Sequence, residues 1–155
     1  DDLHLKIAHL RGRKEEELSG ETLEQKNLKE GKGGLLDIEF LTQYLQLKFV
    51  KRFPKLRTTE TLKALEVIGK ESLISPDDVI FLQKAYRWIR QIETALRLLF
   101  DQSVNALNLN KAQMLHLETL LRRQGQFDNI PSTLGQTSEK VRLIYEQVMK
   151  VDKKT

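Results

Sequence analysis

SPDDVIFLQKAYRWIRQIETALRLLF, residues 75–100, decides the fold. Ser75 is a capping residue and Pro76 suits the first helical position. Asp77 and Asp78 put carboxylates where the helix dipole is positive. From there to about Asp101 no Pro or Gly interrupts, and Val79, Leu82, Tyr86, Ile89, Ile92, Leu96 and Leu99 recur at helical spacing. At ~1.5 Å per residue this helix spans close to ~40 Å, which sets the length of whatever packs on it.

The flanking segments are helical too. Leu3, Ile7, Leu10 and Leu18 predict a first helix over about 2–18, with a charged face around Arg13 to Glu17. Residues 19–34 are polar and glycine-rich and read as a loop. Leu35 to Arg52 carries two apolar stripes: Leu36, Phe40, Tyr44, Leu47 and Val50, and Leu35, Ile38, Leu41, Leu45 and Phe49. Such a helix belongs at the centre of a bundle, and Pro54 stops it. Further helices are predicted over about 59–70, 110–124 (with Gly125 as a left-handed cap) and 132–151, the last turning Val141, Ile144, Tyr145 and Val148 inward. No strand pair with a tight turn is evident. The reading is all-α: a single bundle of five or six helices within one domain, 1–155, with residues 35–151 as its core.

Composition narrows the chemistry. The 155 residues hold 26 Lys and Arg against 22 Asp and Glu, a net charge of +4, which is too modest to argue nucleic acid by itself. The absence of cysteine removes disulfides, thiolate metal sites and thiol nucleophiles. No apolar run is long enough to cross a membrane and no signal peptide is visible, so the expected location is the cytoplasm. The chain opens on Asp1-Asp2, which reads as a piece of something longer.

Four groups of residues carry potential chemistry. Gly31, Gly33 and Gly34 stand directly before a helix start, with Lys29 and Lys32 beside them. Such a loop can bring backbone N–H groups to an anion; the alternative is a plain turn with Asp37 as a first-turn acid. Asp37 and Glu39 form an acid-x-acid pair, but on a helix they point about 200° apart and cannot share one ion. Arg87, Arg90, Glu93 and Arg97 form a charged strip on the long helix, either a solvated face or an interdomain or phosphate contact. Lys48, Lys51, Arg52, Lys55 and Arg57 cluster around Phe49 and Phe53 with no acid between them. They read as a helix end or, alternatively, as a nucleic-acid- or partner-binding patch over residues 48–57. His4, His9 and His116 lack partners at metal-ligand spacing.

KEGKGGLLDIEFLTQYLQL, residues 29–47, resembles the helical domain that follows a nucleotidyltransferase domain in the bacterial glutamine synthetase adenylyltransferase/deadenylylases, and that has a relative in the PII-uridylyltransferases. Residues 11–18 (RGRKEEEL) look like the linking helix of that family, here 1–18. Residues 59–65 (TETLKAL), 85–93 (AYRWIRQIE) and 141–148 (VRLIYEQV) resemble its later helices. Ala95, Asn105 and Asn108 depart from the family pattern. The residues after Asp37-Ile38-Glu39 look closer to the C-terminal, AMP-adding half of the two-part enzyme.

The resemblance implies a parent that transfers AMP from ATP to a tyrosine of glutamine synthetase with Mg²⁺, with glutamine synthetase and the PII signalling protein as its partners. The Gly-Ser…Asp-x-Asp signature of its catalytic domain is absent here, so this segment is expected to be non-catalytic and to hold no metal. It would partner a preceding nucleotidyltransferase domain of the same chain. Lys29, Lys32, Gly33, Gly34, Asp37, Arg90 and Glu93 are the candidate nucleotide- or interface-facing residues, and neither a membrane nor nucleic acid is expected as a partner.

Overall fold

A computed structural model describes residues 2–20, 26–100, 106–107, 110–122 and 129–151. Among them six helices form the predicted all-α bundle: α1 (Leu3–Leu18), α2 (Leu35–Phe49), α3 (Thr61–Lys70), α4 (Pro76–Phe100), α5 (Lys111–Arg122) and α6 (Ile130–Val151), with a 3₁₀ turn at Pro54–Leu56. One departure is a ladder of two two-residue strands, β1 (Lys26–Asn27) and β2 (Ala106–Leu107), paired antiparallel. Its partners lie so far apart in the chain that no tight turn announces it. No helix among the described residues is long and apolar enough to cross a membrane.

The core has two lobes, and α4 runs through both. One lobe joins Ile7 of α1, Ile38, Leu41 and Leu45 of α2, Leu65 and Ile68 of α3, Val79 and Leu82 of α4, and Val141 and Ile144 of α6. The other joins Leu28 and Leu35 to Trp88, Ile92 and Leu96 of α4, Leu117 and Leu121 of α5, and Ile130 and Leu134 of α6. Tyr86 packs against both lobes. Helix α2 packs on α1, α3, α4 and α6, the central position its two apolar stripes require.

Helix boundaries follow caps more closely than apolar spacing. The Asp78 N–H donates to Ser75 Oγ at 3.2 Å, as the start signal predicted. Helix α5 begins one residue later than predicted because Asn110 and Gln113 cap each other reciprocally at 3.0 and 3.1 Å. Helix α6 begins at Ile130, not Ser132, because Asn129 Oδ1 accepts the Ser132 N–H at 3.0 Å and Pro131 falls inside the first turn, where no N–H is needed. Helix α2 ends at Phe49 rather than Arg52: the N–H groups of Arg52 and Phe53 both fold back onto Phe49 O. The predicted cap at Gly125 and the departures at Asn105 and Asn108 lie outside the described residues.

The apolar stripe of α1 also differs from the prediction. Leu10 and Leu18 are exposed, and His4, Ile7 and Arg11 face inward instead. Arg11 is 1% exposed. A fully buried guanidinium needs a carboxylate, and that requirement leads to the loop before α2.

Candidate functional site

The loop is held by the Asn27 and Asp37 side chains and by its own backbone. Asn27 Oδ1 accepts the N–H groups of Lys29 and Glu30 at 3.0 and 2.9 Å, while its amide reaches back to Ser19 O at 2.9 Å. The Gly34 N–H donates to Gly31 O, Leu35 to Leu28 O, Leu36 to Lys29 O and Asp37 to Gly34 O. Gly33 has φ +70, and its N–H donates to Asp37 Oδ2 at 2.8 Å. The N–H groups of residues 33–37 are thus all engaged within the chain, and they are the donors an anion would have used.

The glycines are required by packing. A Cβ at Gly33 would stand 1.9 Å from the backbone oxygen of Ser138 on α6, and one at Gly34 would stand 2.8 Å from Leu28 O and from Lys29 O. The loop is pressed between α6 and its own turn, and Gly33, Gly34 and Asp37 are all buried.

Asp37 is 0% exposed and sits at the centre of a charge cluster drawn from three parts of the chain. Arg11 Nε donates to Asp37 Oδ1 at 2.5 Å, Arg11 Nη2 donates to Gly31 O at 2.8 Å, and Arg11 Nη1 lies 3.4 Å from Glu15 Oε2. From α6, Arg142 Nη1 lies 3.3 Å from Asp37 Oδ2 and donates to Glu15 Oε2 at 2.9 Å, while Arg142 Nε donates to Glu146 Oε1 at 2.9 Å. Burial works against the Arg142 charge, but Asp37, Glu146 and Glu15 more than offset it and hold the guanidinium charged above its ordinary range. The bond to Arg142 in turn keeps the Glu146 carboxyl below the usual range. Segments 11–18, 29–40 and 141–148, read separately in the sequence, meet here as one clamp. Arg11, Glu15, Arg142 and Tyr145 were not among the predicted site residues. The available signal was a charged residue on an inward stripe, at Ile7 plus four and again beside Val141.

Tyr145 borders the clamp with Arg142 stacked 5.3 Å from its ring centroid, and its buried hydroxyl has no hydrogen-bond partner. Burial first, and then Asp37, pushes its pKa up from 10.0 to about 12. Raised in the native state, this phenol deprotonates first in the unfolded chain, so stability is retained below pH 10 and falls as the pH climbs toward 12. Tyr145→Phe is expected to cost less than about 1 kcal/mol at neutral pH, because no bond is lost, and to flatten that alkaline decline. Urea titrations at several pH values check both parts.

The remaining candidates lie elsewhere. The Lys29 and Lys32 side chains are 44% and 65% exposed on the outside of the loop, each 3.9 Å from a carboxylate, of Glu30 and Glu15 respectively. Arg90 and Glu93 form a pair at 2.8 Å on α4, and that hydrogen bond raises the Arg90 pKa. Glu39 accepts the Tyr86 hydroxyl at 3.2 Å, with Arg90 5.8 Å from the same ring centroid. Asp37 and Glu39 therefore diverge as the helix requires, one into the clamp and one to α4. Among the described residues no three acidic or histidine side chains are grouped to hold a metal ion. The cations at 48–57 surround the far end of α2.

A family model described as GlnD PII-uridylyltransferase matches residues 1–149. The bifunctional glutamine synthetase adenylyltransferase/adenylyl-removing enzyme of Xanthobacter autotrophicus is 33% identical over 126 residues, covering 79% of this chain and 12% of the relative. The enzymes of the same name from Vibrio parahaemolyticus and Acinetobacter baylyi are 31% and 30% identical, covering 79% and 81% of this chain and 13% and 14% of the relatives. The chain thus spans roughly an eighth of the length of these curated relatives.

Proposed function

Because the chain belongs to the GlnD PII-uridylyltransferase family, we propose that it is a non-catalytic helical domain of an enzyme that transfers AMP from ATP to a tyrosine of glutamine synthetase. On this reading it belongs to the adenylating half and supports an adjoining nucleotidyltransferase domain. The observation that carries the reading is the state of Asp37. Its two oxygens are taken by Arg11, Gly33 N–H and Arg142, so the most conspicuous acid of the glycine motif holds the fold together.

The Mg²⁺ and ATP implied by the family do not fit the residues present here. Asp37 is neutralised by two guanidinium groups, Glu39 faces Tyr86, and the loop N–H groups are engaged. We assign both to the adjoining domain. What this segment offers outward is the cationic rim of Lys29 and Lys32, fixed in place by the clamp beneath. A rim of that sign suits contact with a neighbour that handles polyanionic nucleotide.

Lys29→Glu with Lys32→Glu, placed in the full-length parent enzyme, is expected to lower AMP transfer to glutamine synthetase by about tenfold. The urea midpoint should stay unchanged, since both side chains are exposed. The 155-residue chain alone should transfer none. Full activity of the double variant, or metal-dependent transfer by the chain alone, would remove the proposal.

A further inference from the structure

The other end of α2 carries a second, different surface. A groove of about 460 Å³ opens between the last turns of α2 and the Pro54–Leu56 turn, lined by Gln43, Leu47, Val50, Leu56 and Arg57. It is preformed: Gln46 Nε2 donates to Leu56 O at 2.7 Å and to Thr58 O at 2.8 Å, fixing its far wall against the helix. Leu47, on its rim, is 60% exposed. Leu47, Val50 and Leu56 give it an apolar floor among Gln43, Gln46, Arg57 and Thr58, and the Gln46 amide is already engaged.

The charge around this groove has one sign. Lys48, Lys51, Arg52, Lys55 and Arg57 are all exposed, and no acid occurs between residues 48 and 59. Among the described residues no carboxylate pairs with Lys51, Arg52, Lys55 or Arg57. Several cations elsewhere among the described residues are paired, as at Arg13–Glu17, Lys63–Glu60, Lys70–Glu66 and Arg90–Glu93. The patch lies a full helix, ~22 Å, from the glycine loop, so it is a separate surface from the rim of Lys29 and Lys32.

We propose that this groove docks an acidic segment of a partner protein that carries an aliphatic anchor. Carboxylates of the segment pair with Lys51, Arg52, Lys55 and Arg57, and one aliphatic side chain enters between Leu47, Val50 and Leu56. The aromatic rings decide between a peptide and a nucleic acid. Phe49 and Phe53 pack against the core, with Lys48 at 5.4 Å and Arg52 at 5.1 Å from their ring centroids. Each ring is half-buried with a cation already over it, so neither stands free as the stacking platform that single-stranded nucleic acid binding uses. An apolar floor with Arg57 in its lining, within a segment that carries four more cations and no acid, matches an acidic peptide, with charge steering the encounter and the anchor setting the register.

The test uses the 155-residue chain and fluorescein-labelled probes read by anisotropy at about 50 mM salt. The probes are a glutamate-rich peptide with one central leucine, the same peptide with serine in that place, and oligothymidylate. The leucine peptide is expected to bind about fivefold tighter than the serine peptide, the gain from burying one aliphatic group in a half-open groove. Lys55→Glu with Arg57→Glu should weaken it by about tenfold. Leu47→Asp should abolish the leucine preference, and the helical circular dichroism should be unchanged throughout. Equal binding of the two peptides, tighter binding of oligothymidylate, no binding of any probe, or indifference to these variants would each overturn the proposal.

Discussion

Gly33→Ala is expected to destabilise the domain by roughly 3–5 kcal/mol, enough to leave it largely unfolded if its stability is ordinary for its size. Two independent costs add. The φ of +70 is a conformation that an L side chain occupies only with strain. The new methyl would also lie 1.9 Å from Ser138 O, 2.4 Å from Ser138 C and 2.6 Å from Ser138 Cα, all backbone atoms of a long helix that cannot rotate away. Relief requires α6 to lift off the loop, which pulls Arg142 from Asp37. Gly12→Ala is the control: Gly12 lies inside α1 with nothing within 4 Å of the added Cβ. That change should stabilise by roughly 0.5–1 kcal/mol. Trp88, the only tryptophan and buried in the second lobe, reports unfolding in urea for both variants. A Gly33→Ala midpoint within error of the parent would mean that the loop does not press on α6 as described.

Arg11→Met should be nearly as damaging, at roughly 3–5 kcal/mol, because it leaves Asp37 buried with its principal countercharge gone. It also removes one of the two donors to Gly31 O, leaving the Gly34 N–H. Asp37→Leu alone should cost a comparable amount, since the buried Arg11 then keeps only Glu15, at 3.4 Å, as a countercharge. The informative variant is the double one. Arg11→Met with Asp37→Leu removes both buried charges together, so its cost should fall short of the sum of the singles by on the order of 2 kcal/mol. The Gly33 N–H left without an acceptor keeps the double variant from matching the parent. Arg142→Ala should be milder, about 1 kcal/mol, because Arg142 is 27% exposed and the buried Asp37 keeps Arg11 and the Gly33 N–H. Strict additivity in the double variant would show that Arg11 and Asp37 do not act as a unit.

Periodicity and caps carried most of the fold in the sequence. The stripe from Val79 to Leu96 and the Ser75-Pro76-Asp77-Asp78 start placed the longest helix, and the two stripes of α2 placed that helix centrally. Where the reading erred, a local hydrogen bond had outweighed apolar spacing. Asn129 starts α6 two residues ahead of the predicted Ser132, and Phe49 O gathers the turn that ends α2. The glycine motif was visible as a motif, but its physical meaning was not. Gly33 is small because of Ser138, more than 100 residues later, and Asp37 is buried because of Arg11 and Arg142. Such reasons are long-range and leave only a faint local trace, a charge on an inward-facing stripe.

The clamp also has a place in time. Glu15 and Arg142 are 127 residues apart and Asp37 and Arg142 are 105 apart, so these bonds cannot form until nearly all the chain is present and the helices between are docked. Local helix and hairpin-like contacts form first, and contacts of such sequence separation come late. Interactions absent from the folding transition state scarcely affect how fast a domain forms; they set how slowly it opens. The Arg142 arm of the cluster is therefore expected to act as a brake on unfolding, so that Arg142→Ala should speed opening more than it slows folding in stopped-flow urea jumps.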